Sequence, residues 1–145
     1  MVTNIRLMVS LQKLNTTLNE KLNRNMRQYG LNMTEFIILA HLNIKEVEQI
    51  QKLGNVAYIT SGTITYTVNK LIKKGYVIKK QDFKDKRVFL VSLTKQGEKV
   101  YKKVFGKYIM YLNNILEGFT EETKQMFINQ IQYFNKQINN GGSRK

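Results

Sequence analysis

The chain has 145 residues, enough for one domain with a core of its own, and its 42% hydrophobic content is that of a globular sequence. It has no cysteine and one histidine, which excludes disulfides, thiolate metal sites, cysteine redox chemistry and multi-histidine metal centres. Formal net charge is +14, and between Thr60 and Lys107 twelve Lys and one Arg stand against only Asp82, Asp85 and Glu98, as expected of a nucleic-acid-binding region or of a merely basic surface.

In chain order, Leu7, Leu11, Leu14, Leu18 and Leu22 recur at steps of four, three, four and four. This single apolar stripe predicts a long helix from about Thr3 to Gln28, closed by Gly30. A second helix covers Phe36-Ile-Ile-Leu-Ala-His-Leu42, with Asn32 or Thr34 as its cap and Glu35 in its first turn. His41 within it reads as a packed or hydrogen-bonded side chain rather than a catalytic base. A short helix is expected over Val47 to Leu53, ending near Gly54. Another is expected from Ser61 to Lys74, with Ile64, Val68, Leu71 and Ile72 inward and Gly75 as its stop. These last two suit a helix-turn-helix.

The period then changes. Tyr76-Val-Ile and Val88-Phe-Leu-Val are β-branched and aromatic, so they predict two strands of a hairpin whose tip is the charged run "KQDFKDKR". A helix follows from Thr94 to about Leu116, burying Val100 or Tyr101, then Val104, Tyr108, Leu112 and Ile115. "GFTEET" is a break with Thr120 as the next cap. The last helix carries Phe127, Ile131, Phe134 and Ile138 on one face. No apolar run approaches the roughly 20 residues of a membrane span, and the start does not read as a signal peptide. The expectation is a soluble, cytoplasmic protein without a membrane partner.

The fold class expected is mainly α with a small β-hairpin wing: a winged helix-turn-helix over residues 31–95, with long dimerisation helices at 1–30 and 96–140 and a flexible tail at 141–145. Apolar stripes on both outer helices point to a two-fold homodimer.

Three motifs in sequence carry a resemblance. Leu71-Ile-Lys-Lys-Gly75-Tyr-Val77, Asp82-Phe-Lys-Asp85-Lys-Arg87 and Leu93-Thr94-Lys-Gln-Gly97 follow one another in the order of a recognition-helix exit, a wing and a helix start. Together with the flanking helices, they make the chain resemble the MarR family of bacterial transcription regulators over nearly its whole length. "SGTITYTVNKL" looks most like the branches that sense organic hydroperoxides or quinones. The peroxide-sensing branch depends on a reactive cysteine in its first long helix, as do several quinone sensors, and this chain has none, so the resemblance implies a switch by bound ligand instead.

The resemblance implies a ligand-responsive repressor that binds double-stranded DNA as a homodimer on a near-palindromic operator. It implies no enzyme activity and no cofactor. A recognition helix enters the major groove N-terminus first. The residues expected to contact DNA there are Ser61, Thr63, Thr65, Tyr66, Asn69 and Lys70. Thr65 and Tyr66 could instead pack against the wing. In the wing the resemblance places Arg87 in the minor groove and Lys84 and Lys86 on phosphates, although many relatives carry Arg where Lys84 stands. Asp85 has two readings: a carboxylate that holds the Arg87 guanidinium, or a turn-forming Asp. Tyr29, Met33 and Phe36 lie where the family binds its effectors. They are either core residues or contacts for a small aromatic or phenolic effector. The rival reading is a winged-helix module that binds acidic proteins, or any nucleic acid, without operator specificity.

Overall fold

The computed structural model describes residues 1–141. The tail expected at 141–145 lies, beyond Gly141, outside the described residues. Nine elements follow in order: α1 (Val2–Arg27), α2 (Met33–Lys45), β1 (Val47–Gln49), α3 (Ile50–Ala57), α4 (Ser61–Lys73), β2 (Val77–Gln81), β3 (Phe89–Leu93), α5 (Lys95–Ile115) and α6 (Glu121–Gly141). The chain divides into two compact units, residues 1–108 and 109–145, with the break inside α5.

In the first unit, α1 ends at Gly30, whose φ of 70° lies in the left-handed region. Gly30 N–H donates to Arg27 O at 3.0 Å and Leu31 N–H to Met26 O at 3.3 Å, a paired closure of the helix end. Asn32 then caps α2. Its side chain accepts from Glu35 N–H at 2.8 Å, while the Glu35 carboxylate accepts from Asn32 N–H at 2.9 Å. Met33 N–H reaches back to Asn23 Oδ1 on α1 at 3.0 Å.

One expected element was of the wrong type. Val47–Gln49 is a strand, not the start of a helix, and it pairs antiparallel with β3, Val47 opposite Ser92. Strand β3 is therefore central, and the sheet runs β1-β3-β2. The helix begins only at Ile50 and runs through Gly54 rather than stopping there. Gly54 is buried, and a Cβ there would meet Ile59 O at 3.3 Å and Ile64 Cγ2 at 3.6 Å, so its absence lets α3 and α4 approach closely.

The core of this unit joins Ile38, Leu39 and Leu42 of α2, Leu53 of α3, Ile64, Val68 and Leu71 of α4, and Val77 and Val91 of the sheet, all essentially inaccessible. Burial of this many aliphatic side chains, each worth about 1.5–3 kcal/mol, dominates the unit's stability. Tyr101 and Val104 of α5 close it, with Phe36 against the Tyr101 and Tyr108 rings at 5.8 and 5.1 Å.

The motif "LTKQG" has a mechanical reason. Thr94 Oγ1 donates to Gly75 O at 2.6 Å and accepts from Gly97 N–H at 2.9 Å, and Thr94 N–H donates to Tyr76 O at 3.0 Å. A Cβ on Gly97 would overlap the Tyr76 carbonyl. The start of α5 is thus seated directly on the exit of α4, and only glycine fits at the contact.

In the second unit, Thr120 Oγ1 accepts from Thr123 N–H at 3.1 Å and caps α6. Phe119 and Phe127 meet edge to face at 6.1 Å. Phe127, Ile131 and Ile138 are about half exposed. On α1 the stripe residues Leu7, Leu14 and Leu18 are exposed as well.

Candidate nucleic-acid interface

Helix α4 presents two faces of opposite character. Ile64, Thr67, Val68 and Leu71 are buried, whereas Ser61, Gly62, Thr63, Thr65, Tyr66 and Asn69 are exposed. Thr60 caps the helix, its Oγ1 accepting from Thr63 N–H at 3.4 Å and lying 2.9 Å from Thr63 Oγ1. Thr65 donates to Ser61 O at 3.1 Å. That bond uses its one proton, so outward it offers an acceptor oxygen and a methyl group. Thr65 and Tyr66 face solvent rather than packing beneath the wing. Gly62 has open space beyond its Cα.

Lys70 is set apart from the rest of the face. It is half-buried, and its Nζ lies 3.6 Å from Glu35 Oε1. Part of its charge is therefore already engaged within the chain. Lys74, at the end of the same helix, is bound to Glu35 more tightly and also donates to Gly30 O at 2.7 Å.

The wing tip is an ordered loop. Asp82 N–H donates to Val88 O and Val88 N–H to Asp85 O, both at 2.9 Å. Asp82 Oδ1 accepts from Lys84 N–H at 2.9 Å, and Asp85 Oδ1 from Arg87 N–H at 3.0 Å. Gln81 Nε2 donates across to Lys86 O at 2.6 Å. The same Asp85 carboxylate accepts from Arg87 Nε at 3.1 Å and Arg87 Nη2 at 3.2 Å. The two readings of Asp85 are therefore compatible: one carboxylate forms the turn and grips the guanidinium in a two-point contact. The Arg87 side-chain and backbone hydrogen bonds hold the Asp85 carboxyl below its ordinary 3.8. The Arg87 side chain is nevertheless 91% exposed, so it is oriented without being covered. Lys84 and Lys86 flank it in solvent.

Two exposed aromatics escaped the sequence reading. Phe83, at the wing tip, is 98% exposed, and Tyr58, in the turn between α3 and α4, is 96% exposed. An aromatic inside a charged hairpin turn was a visible signal for Phe83. Nothing in the local sequence marks Tyr58.

Of the three residues considered for an effector, Phe36 is core, and Tyr29 and Met33 are half-buried against the core. Tyr29 also lines a cleft of about 310 Å³ with Gln28, Tyr76, Val100, Lys103 and Val104, and Lys107 Nζ stands 5.5 Å from its ring. Met33 and Phe36 do not line that cleft. His41 is hydrogen-bonded, its Nε2 lying 3.1 Å from Glu48 Oε2, which ties α2 to β1. At Glu48, burial pushes the carboxyl up, but the Gln49 N–H, His41 and Lys52 outweigh it and hold the group below its ordinary value. Among the described residues no group of His, Asp or Glu could hold a metal ion.

An exposed hydroxyl-rich helix, packed by its other face behind a helix-turn and followed by a basic hairpin, defines a winged helix-turn-helix, a class built to dock on DNA. The comparisons agree. The Transcriptional regulator SarA/Rot family profile matches residues 20–104. The SarZ regulator of Staphylococcus epidermidis is 31% identical over 109 residues, 75% of this chain and 72% of SarZ. The MhqR regulator of Bacillus subtilis is 28% identical over 140 residues, 91% of this chain and 97% of MhqR. A MarR-like transcription regulator from Bacillus cereus superposes with a TM-score of 0.84 at 23% identity, covering 94% of this chain and 98% of that one. MarR of E. coli, seen complexed with operator DNA, superposes at 0.73 with 20% identity, covering 90% and 94%. This chain belongs to the SarA/Rot family of MarR-type winged-helix transcriptional regulators. It is a DNA-binding protein of transcription regulation.

Proposed function

We propose that the chain acts as a homodimeric, ligand-responsive repressor in the cytoplasm, without enzymatic activity. Two copies would set their α4 helices in successive major grooves, about 34 Å apart, on a near-palindromic operator. Ser61, Thr63, Thr65, Tyr66 and Asn69 would meet base edges and phosphates, with Lys70 a weaker contributor because Glu35 competes for its ammonium. Lys84 and Lys86 would neutralise phosphates beside the wing.

The observation that carries this reading is the exposed Arg87 guanidinium, held in two-point contact by Asp85 at an ordered hairpin tip. A guanidinium presented in fixed orientation suits a narrow minor groove, whose negative potential attracts it. Half-exposed Leu7, Leu14 and Leu18 of α1 and Phe127, Ile131 and Ile138 of α6 support the dimer. The cleft beside Tyr29 is lined by two phenol rings, Tyr29 and Tyr76, and by Lys103, which suits a small aromatic or phenolic anion. An effector there can release DNA only by binding the DNA-free arrangement better.

Selection of duplexes from a random pool by the full chain tests the proposal. A recovered near-palindrome bound at least a thousandfold more tightly than random DNA, on the order expected for specific regulators, supports it. Equal affinity for all sequences would favour the non-specific module.

A further inference from the structure

Tyr58 combines a strained backbone with an uncovered aromatic ring. It ends α3 with φ 54° and ψ 43°, in the left-handed region. Tyr58 N–H donates to Asn55 O at 3.3 Å, and Ile59 N–H reaches back to Gly54 O at 3.0 Å, so the backbone closure of the helix fixes that conformation. Such a position selects Gly, then Asn, because a Cβ crowds the backbone there. The residue is nonetheless a tyrosine, and its ring is 96% exposed, so no packing offsets the strain. A strained residue with an uncovered aromatic side chain is the kind of outlier from which a functional contact is inferred.

Its place in the fold says what it contacts. Tyr58 stands two residues before Thr60, the cap of α4, in the turn of the helix-turn-helix. A helix that enters the major groove N-terminus first brings that turn to the rim of the groove, where phosphates and sugars lie. A phenol there supplies a neutral donor for a phosphate oxygen and a flat apolar face for the adjoining sugar.

We propose that Tyr58 is a DNA-backbone contact whose hydroxyl donates to a phosphate at the rim of the groove entered by α4. This rests on α4 being the recognition helix. The contact would position the helix without reading sequence.

The test uses the full chain with Tyr58→Asn and Tyr58→Phe, a duplex recovered by selection, and a random duplex of equal length. Asparagine tolerates the left-handed backbone, so Tyr58→Asn is expected to melt roughly 3 °C higher. It is expected to bind both duplexes about tenfold more weakly, as for loss of one hydrogen bond to a charged group. Tyr58→Phe, lacking only the hydroxyl, is expected to keep the wild-type melting temperature and lose affinity by about tenfold on both duplexes. The salt dependence of binding should not change, because a neutral donor displaces no counterion. An Asn variant that binds both duplexes as tightly as wild type, or that melts lower, would overturn the proposal. A wild-type chain with no preference for the recovered duplex would instead sink the operator-specific reading. The ratio of variant to wild type on random DNA judges Tyr58 alone.

Discussion

Lys74 Nζ lies 2.8 Å and 2.9 Å from the two oxygens of Glu35, a carboxylate only 1% exposed. The pair joins the last turn of α4 to the first turn of α2, and Lys74 also donates to Gly30 O at the end of α1. The orientation of α4 is therefore tied to the junction between α1 and α2. Lys74→Met leaves the buried Glu35 carboxylate with only the Asn32 N–H and the more distant Lys70, and should destabilise the fold by about 3 kcal/mol. Glu35→Gln should cost less, about 1–2 kcal/mol, because Lys74 is partly exposed and can turn to water. Denaturant unfolding of the two variants checks the order.

Gly97→Ala should be more harmful than its single added methyl suggests. The new Cβ would overlap the backbone carbonyl of Tyr76, which is itself held by Thr94 N–H. Backbone cannot turn aside as a flexible side chain can, so a loss of about 3 kcal/mol is expected by thermal or urea unfolding.

The Asp85–Arg87 contact has a pH signature. A carboxyl held below its ordinary value contributes its stabilisation above that value and loses it as pH falls through the lowered one. The wing tip should therefore keep its order through neutral and mildly acidic pH and lose it only below the ordinary 3.8 of an aspartate. A carbon-detected NMR titration of Asp85 should give a midpoint below 3.8, rising toward that value in Arg87→Ala.

The apolar faces of the outer helices predict the association state. Leu14 is 52% exposed on α1, in the stripe with Leu7 and Leu18. Leu14→Glu should leave the secondary structure intact and shift sedimentation from dimer to monomer, because burying an unpaired carboxylate in an apolar interface is prohibitive. Binding to a selected palindrome should weaken with it, since one half-site then acts alone.

Much of this was legible in the sequence because the signals were local. The cap at Asn32, one of two candidates beside Thr34, the stop at Gly75, the helix start at Thr94 and the Thr120 cap are short-range patterns with a mechanism behind each. Strand β1 was not legible, because three residues, "VEQ", are too few to show a period and are held by pairing with β3 some forty residues on. Glu35 was placed in the first turn of α2, where it stands, but its burial against Lys74 joins positions 39 apart and leaves no local trace. Lys70 was grouped with the exposed hydroxyls of α4, whereas the fold draws its ammonium toward Glu35. Tyr58 was missed because a left-handed backbone at a tyrosine is set by the helix closure around it, not by the residue.

We propose that the wing reads DNA through Arg87 as Asp85 presents it. The direct measurement is the affinity of wild type, Arg87→Ala and Arg87→Lys for a selected duplex and for random DNA across a salt series. Arg87→Ala is expected to lose at least tenfold on the selected duplex, about 1.4 kcal/mol, and lysine to restore little because it cannot keep the two-point contact with Asp85. Unchanged affinity of Arg87→Ala for the selected duplex would contradict it and remove the wing from recognition.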